Sequence, residues 1–259
     1  MLQQTQVLRV TVKYAEFIQA YPTVQALAKA SPAAVLRLWK GMGYNRRALY
    51  LHKTARIIVE KYNSQFPISE QLLSKLPGLG IYTARAILVF AFKQEVPLVD
   101  TNIRQIITHF FLTNQTQACL LASTRRSGPA RQGPALREPK GRALEKEVEI
   151  IAHQLIPQGK SWEWHQALMD YGALEMQKVN GKRQKVKENR IPFRESDRFY
   201  RGRIIDLLRE QEMPEIKLLM ELVDQYHKPK VFFDTIVASL LSDGLIERVK
   251  RKTLRLPEA

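Results

Sequence analysis

Two glycines one residue apart stand in Leu76-Pro77-Gly78-Leu79-Gly80-Ile81-Tyr82-Thr83-Ala84-Arg85-Ala86-Ile87, between stretches of helical apolar spacing. Glycine there permits a tight turn with positive φ and the close approach of another backbone. The amides that open the next helix face outward, a geometry that suits a DNA phosphate. A plain helix–helix turn would explain the glycines equally well if they stood alone. They do not: Val96-Pro97-Leu98-Val99-Asp100-Thr101-Asn102-Ile103-Arg104 follows, a carboxylate opening a helix after an apolar approach. By itself Asp100 reads as an N-cap. With the hairpin upstream it becomes a candidate for chemistry.

The elements that must position these groups are mostly helical. From Val7 to about Phe111 apolar residues recur at three-to-four spacing, broken by short Pro, Gly or Ser punctuation. Tyr21-Pro22-Thr23 and Ala30-Ser31-Pro32 both read as helix entries, with Ser or Thr near the cap and Pro at a first-turn position. Residues 114–141 lose this periodicity and are mostly basic, which reads as a loop or disordered insert, either a solvated linker or an arm that touches phosphates. Helical pattern resumes from Arg142 to Glu175. A second basic stretch, Lys178 to Arg190, reads as an exposed linker. Helices are expected from Tyr200, over Glu215 to Tyr226, and over Val231 to Leu241. An alternating apolar and basic tail, Gly244 to Leu256, predicts a hairpin. Three helices and a hairpin make a small winged-helix module, which binds DNA or protein.

Forty-one Lys and Arg against 25 Asp and Glu leave a net charge of +16 over 259 residues. Such an excess favours a polyanionic partner, nucleic acid first, although a ribosomal or membrane-surface protein would share it. No apolar run is long enough to span a bilayer, and the first residues lack the pattern of a signal peptide, so a cytoplasmic, nucleoid-associated protein is expected. The single cysteine, Cys119, cannot form an internal disulfide and reads as an ordinary apolar-side residue.

The hairpin LPGLG with the acidic residue of LVDTN resembles the signature of the helix-hairpin-helix DNA glycosylases. Three further blocks, MLQQTQV at Met1–Val7, LWKGMGY at Leu38–Tyr44 and QALMDYGA at Gln166–Ala173, narrow the likeness to the adenine glycosylases, which remove adenine mispaired with 8-oxoguanine. The likeness covers roughly Met1 to Phe111 and Trp162 to Ala173. It implies an all-α, two-lobed helix-hairpin-helix core over residues 1–177, with the cleft between lobes. A basic linker over 178–197 and a winged-helix-like module over 198–259 would follow. A thymine or 3-methyladenine glycosylase of the same superfamily would share the hairpin and Asp100 but not MLQQTQV.

What the resemblance implies about chemistry is specific. Breaking an N-glycosidic bond needs a protonated leaving base and a negative charge beside the oxocarbenium-like sugar. Asp100 takes the second role, as electrostatic stabiliser or nucleophile. Tyr82 stands where bifunctional relatives carry a Schiff-base lysine; a phenol forms no imine, so no strand-cleaving activity is expected. Tyr82 either hydrogen-bonds near the reaction centre or packs. Gln3, Gln4 and Gln6 match residues that fill or flank the gap left by the extruded base. Tyr44 matches one inserted beside the oxidised guanine, and Leu76, Gly78, Gly80 and Thr83 belong to the DNA-holding hairpin. The expected partner is double-stranded DNA carrying an adenine:8-oxoguanine mismatch, bound by a monomer.

Three departures qualify this. Asn45 stands where the family often has a second Tyr, which implies weaker reading of the lesion. The family's general acid is a Glu two residues before the MLQQTQV block; the sequence given starts at Met1, so either the true start lies upstream and supplies it, or the chain is a catalytically inactive DNA-binding homologue. After Ala173 the family presents four cysteines for a [4Fe–4S] cluster, whereas Leu174-Glu175-Met176-Gln177-Lys178 begins a stretch with none. No cofactor is therefore expected.

Overall fold

The computed structural model describes residues 1–3, 5–112, 142–176 and 192–258. Gln4, Cys119, the insert at 114–141 and most of the basic linker lie outside the described residues. Two compact units divide the chain. One takes Met1–Pro67, Leu76–Gly78 and the described part of Lys187–Ala259; the other takes Ile68–Lys75 and the described part of Leu79–Val186. The fold is mostly helical, as expected, and no helix among the described residues is long and apolar enough to cross a membrane.

The first unit begins with α1 (Val7–Ala20), α2 (Val24–Lys29), α3 (Pro32–Leu38) and α4 (Arg46–Tyr62). Both sequence-read entries are true caps: Thr23 Oγ1 accepts from Ala26 N–H at 3.1 Å and Ser31 Oγ from Ala34 N–H at 3.2 Å; Pro32 is in the first turn of α3 as expected, whereas Pro22 lies before the cap of α2 and outside its first turn. Each such cap contributes about 1 kcal/mol. Trp39, Leu36 and Val35 are buried beneath α4, and Phe17 of α1 meets Trp39 edge-on at 6.1 Å.

The same unit holds α10 (Asp197–Glu210), α11 (Glu215–Tyr226) and α12 (Lys230–Ser242), numbered in chain order after the five helices of the second unit, and a small antiparallel sheet. Strands β2 (Glu247–Val249) and β3 (Thr253–Arg255) form the expected hairpin, in register Glu247↔Arg255. The turn between them carries Lys250, Arg251 and Lys252, so the wing has a basic tip. The sequence did not suggest β1 (Met213–Pro214), which pairs Met213 with Leu254 on the other side of β3. This module does not keep a separate core. Tyr200, Ile204, Leu208, Phe233 and Leu254 share one buried cluster with Phe17, Leu36, Trp39 and Leu49. Full burial of each large apolar side chain contributes about 1.5–3 kcal/mol, so the C-terminal helices and α1–α4 stabilise one another.

The second unit contains α5 (Glu70–Leu73), α6 (Ile81–Phe90), α7 (Thr101–Ile107), α8 (Arg142–Gln154) and α9 (Ser161–Leu174). The helix expected ahead of the hairpin is a single turn, α5. Ile103 and Ile107 of α7 pack with Val148 and Ala152 of α8, and Leu168 and Met169 of α9 lie against them. Beyond Ile107 the helix widens into a π turn, Thr108–Leu112, just before the insert. Among the described residues no group of His, Cys, Asp or Glu could hold a metal ion.

Candidate active site

The hairpin is shaped by Gly78. Its φ of +75° is open only to glycine at low cost, and a Cβ there would stand 2.8 Å from Tyr50 Cβ. Both the turn and the close approach expected of this glycine are therefore present. Thr54 Oγ1 donates to the Pro77 carbonyl at 3.0 Å and anchors the same turn to α4. Gly80 differs from expectation: its φ is −84°, and nothing lies within 4 Å of where its Cβ would be. It serves as the N-cap of α6 with no side chain to bond the first-turn amides, and Ile81 and Tyr82 beside it are exposed. Leu76 is buried, so any contact it makes with DNA is through its backbone. Thr83 is half-buried in the first turn.

Asp100 is a helix cap, and the chain just before it is tied down within the same unit. Its Oδ1 accepts from Ile103 N–H at 2.7 Å, which makes it the N-cap of α7, and its second oxygen takes no part in that cap. Arg85 of α6, ion-paired with Glu70 at 2.7 Å and with Glu149, donates to the Pro97 carbonyl at 3.4 Å. His165 of α9 holds the other end of the same peptide: its Nε2 accepts from Leu98 N–H at 3.1 Å, which leaves the ring proton on Nδ1 to donate to the Ser161 carbonyl at 2.7 Å. Gly172, also of α9, lets Asn102 come so close that a Cβ there would sit 2.5 Å from Asn102 Cβ. Tyr82 lies within electrostatic reach of Asp100; partial burial first, and the carboxylate's charge second, push its phenol above the usual tyrosine range. It stays protonated, able to donate a hydrogen bond and unable to form an imine.

His165 makes the site's scaffold sensitive to acid. Burial lowers its pKa below the ordinary value, against the Ser161 bond, which raises it. A native pKa below the unfolded one, about 6.5, means that its stabilising contribution is fully present above that pH. It is lost as pH falls through 6.5 toward the native value. His52, buried on α4 and bonded to the Ala30 carbonyl at 2.9 Å, has the same sign. The melting temperature is expected to fall between roughly pH 7 and 5, and His165→Gln, being neutral at every pH, to fall less steeply. Equal slopes for the two proteins would remove His165 from this account.

In the first unit Gln3 and Gln6 are exposed at the entry to α1, and Tyr44 is 38% exposed in the loop before α4. Arg47, which sequence reasoning passed over, binds these segments together. Its guanidinium donates to the carbonyls of Met1, Gln3, Met42 and Gly43 and, at 2.9 Å, to Thr5 Oγ1, and lies 5.4 Å from the Tyr44 ring centre. The blocks MLQQTQV and LWKGMGY are therefore two parts of one surface. A signal did exist: Arg46 and Arg47 open α4 with no acidic residue in its first turn, where a cation opposes the helix dipole, so a cation there has another duty. Asn45, the departure from the family pattern, accepts from Arg209 at 2.9 Å through its Oδ1.

Comparison with known proteins agrees with this geometry. Residues 1–125 match the HhH-GPD superfamily of base excision DNA repair proteins. An adenine DNA glycosylase of Mycolicibacterium smegmatis is 31% identical over 265 residues, 96% of this chain and 82% of the relative. The adenine DNA glycosylase of Mycobacterium tuberculosis is 46% identical over 107 residues, 41% of this chain but only 35% of the relative. The human adenine DNA glycosylase is 34% identical over 174 residues, 67% of this chain and 28% of the relative. A thermostable thymine-DNA glycosylase shares the fold, with a TM-score of 0.53 at 23% identity over 71% of this chain and 72% of that one. The match to the Mycolicibacterium protein, over 96% of this chain and 82% of the relative, together with the superfamily match, places this chain in the adenine DNA glycosylase family of helix-hairpin-helix base excision repair proteins.

Proposed function

We propose that this DNA N-glycosylase acts as a monomer on adenine opposite 8-oxoguanine and hydrolyses the bond between base and sugar without cutting the strand. The observation that carries the reading is Asp100, fixed as the cap of α7 by one of its oxygens, with the other outside the cap, just after a peptide, Pro97–Leu98, that Arg85 and His165 hold at both ends. A rigid carboxylate of this kind stabilises an oxocarbenium-like sugar better than water does, since it needs no reorganisation as charge develops. Tyr82, protonated beside it, supplies a hydrogen-bond donor and no amine. The outward amides of α6, with open space over Gly80, suit a phosphate of the bound strand. The family pattern places the general acid for the leaving adenine, a Glu, two residues before the MLQQTQV block.

The test is adenine release from a duplex with one A opposite 8-oxoguanine, by the 259-residue chain and by one extended upstream through such a Glu. Release by the extended chain supports the reading. Binding of the duplex by both without release by either replaces it with a DNA-binding homologue.

The donor set does not fit the iron–sulfur cluster of the family. One cysteine in the chain cannot supply four thiolates, and Leu174, Glu175 and Met176 occupy the start of the region where they belong. We propose that glycosylase chemistry here runs without the cluster. Protein purified without air is expected to contain no stoichiometric iron or acid-labile sulfide; one cluster per chain would refute this.

A further inference from the structure

Tyr44 occupies a strained position. Its φ of +47° lies in the left-handed region, between Gly43 at +67° and the start of α4, and a bulky residue stays there only where its surroundings hold it. What holds it comes from the C-terminal module. The guanidinium of Arg198, on the first turn of α10, lies 3.7 Å from the centre of the Tyr44 ring, and its Nη1 donates to the Tyr44 hydroxyl at 2.6 Å.

Three turns further along the same face of α10, Arg209 is buried and grips the next residue. It donates to Asn45 Oδ1 at 2.9 Å, to the Leu36 carbonyl at 3.0 Å and to Asp206. One helix thus holds Tyr44 and Asn45 from both ends, and the shared apolar core keeps that helix from moving away. Among the described residues no carboxylate forms an ion pair with Arg198, whereas Arg209 has Asp206. Arg198 therefore brings a cation to the exposed ring, beside the second cation Arg47.

We propose that Arg198 is a positioning residue for Tyr44, and that the C-terminal module, through it, is part of the surface that reads the strand opposite the adenine. The proposal rests on the reading of Tyr44 as the residue inserted beside 8-oxoguanine. A ring fixed by a stacked, hydrogen-bonded guanidinium enters the base stack with its rotamer already chosen, and the cation travels with it toward the phosphates.

The test measures duplex binding at one salt concentration, with A opposite 8-oxoguanine and with A opposite T in the same sequence, for the full chain, Arg198→Ala, Arg198→Lys, Tyr44→Ala and the double variant Arg198→Ala/Tyr44→Ala. The preference for the lesion duplex is expected to fall about three- to tenfold in Arg198→Ala. It is expected to fall nearly as far in Arg198→Lys, which keeps the charge but lacks the planar fork. In the Tyr44→Ala background removal of Arg198 is expected to change the preference no further, as two residues acting as one unit require. A normal preference in Arg198→Ala, or additive losses in the double variant, overturns the proposal alone. A wild-type chain with no preference for the lesion duplex overturns the proposal together with the reading of Tyr44.

Discussion

Asp100→Asn is expected to lower the rate of adenine release by about a thousandfold, the scale on which removal of a preorganised electrostatic group acts. The melting temperature is expected to change little. Asn is as good an N-cap as Asp, so its side-chain oxygen can accept from Ile103 N–H in the same way, and only the charge is lost. Asp100→Ala removes the cap as well and is expected to cost about a further 1 kcal/mol of stability with no greater loss of rate. The pair of variants separates the two duties that one carboxylate performs. If Asp100→Asn releases adenine at the wild-type rate, Asp100 is a helix cap and the charge that stabilises the sugar lies elsewhere. The measurement is single-turnover release with the enzyme in excess, so that slow product departure does not mask the chemical step.

Much of this site was legible in the sequence because its signals are local. Thr23, Ser31 and Asp100 precede helices by the spacing that a capping bond needs, and Gly78 sits where a helix must turn back. The C-terminal helices and hairpin could be read for the same reason, from apolar periods within each element. What escaped was every bond that joins residues far apart in sequence. Arg198 and Tyr44, or His165 and Leu98, leave no periodic trace, since either partner alone is an ordinary polar residue. The same holds for β1: two residues cannot show an alternation, and Met213–Pro214 becomes a strand only because β3 lies beside it. Asn45 shows how such a gap distorts a reading. Judged against the family it is a lost aromatic group, whereas in the fold its amide is one half of the attachment of α10 to α4.

Gly172→Ala is expected to do damage out of proportion to the single methyl group that it adds. In QALMDYGA the glycine reads as one more member of a family block, and its helical φ gives no reason for it. The reason is Asn102, two residues after Asp100. An alanine Cβ would lie 2.5 Å from Asn102 Cβ and 3.2 Å from its Cα, and neither atom can swing aside as the end of a long side chain would. Either α9 or the start of α7 must shift. Overpacking of this kind costs about 1–3 kcal/mol, and the melting temperature is expected to fall accordingly. The rate is expected to fall too, because the first turn of α7 carries Asp100: a displacement of about 1 Å at a reacting group can cost a hundredfold. Gly172→Ser would meet the same clash with a larger side chain and is expected to be worse. An alanine variant that melts normally and releases adenine at the full rate would show that α7 can give way without moving its cap. In that case the close approach of Gly172 to Asn102 is packing alone, and Asp100 owes its position to Arg85 and His165.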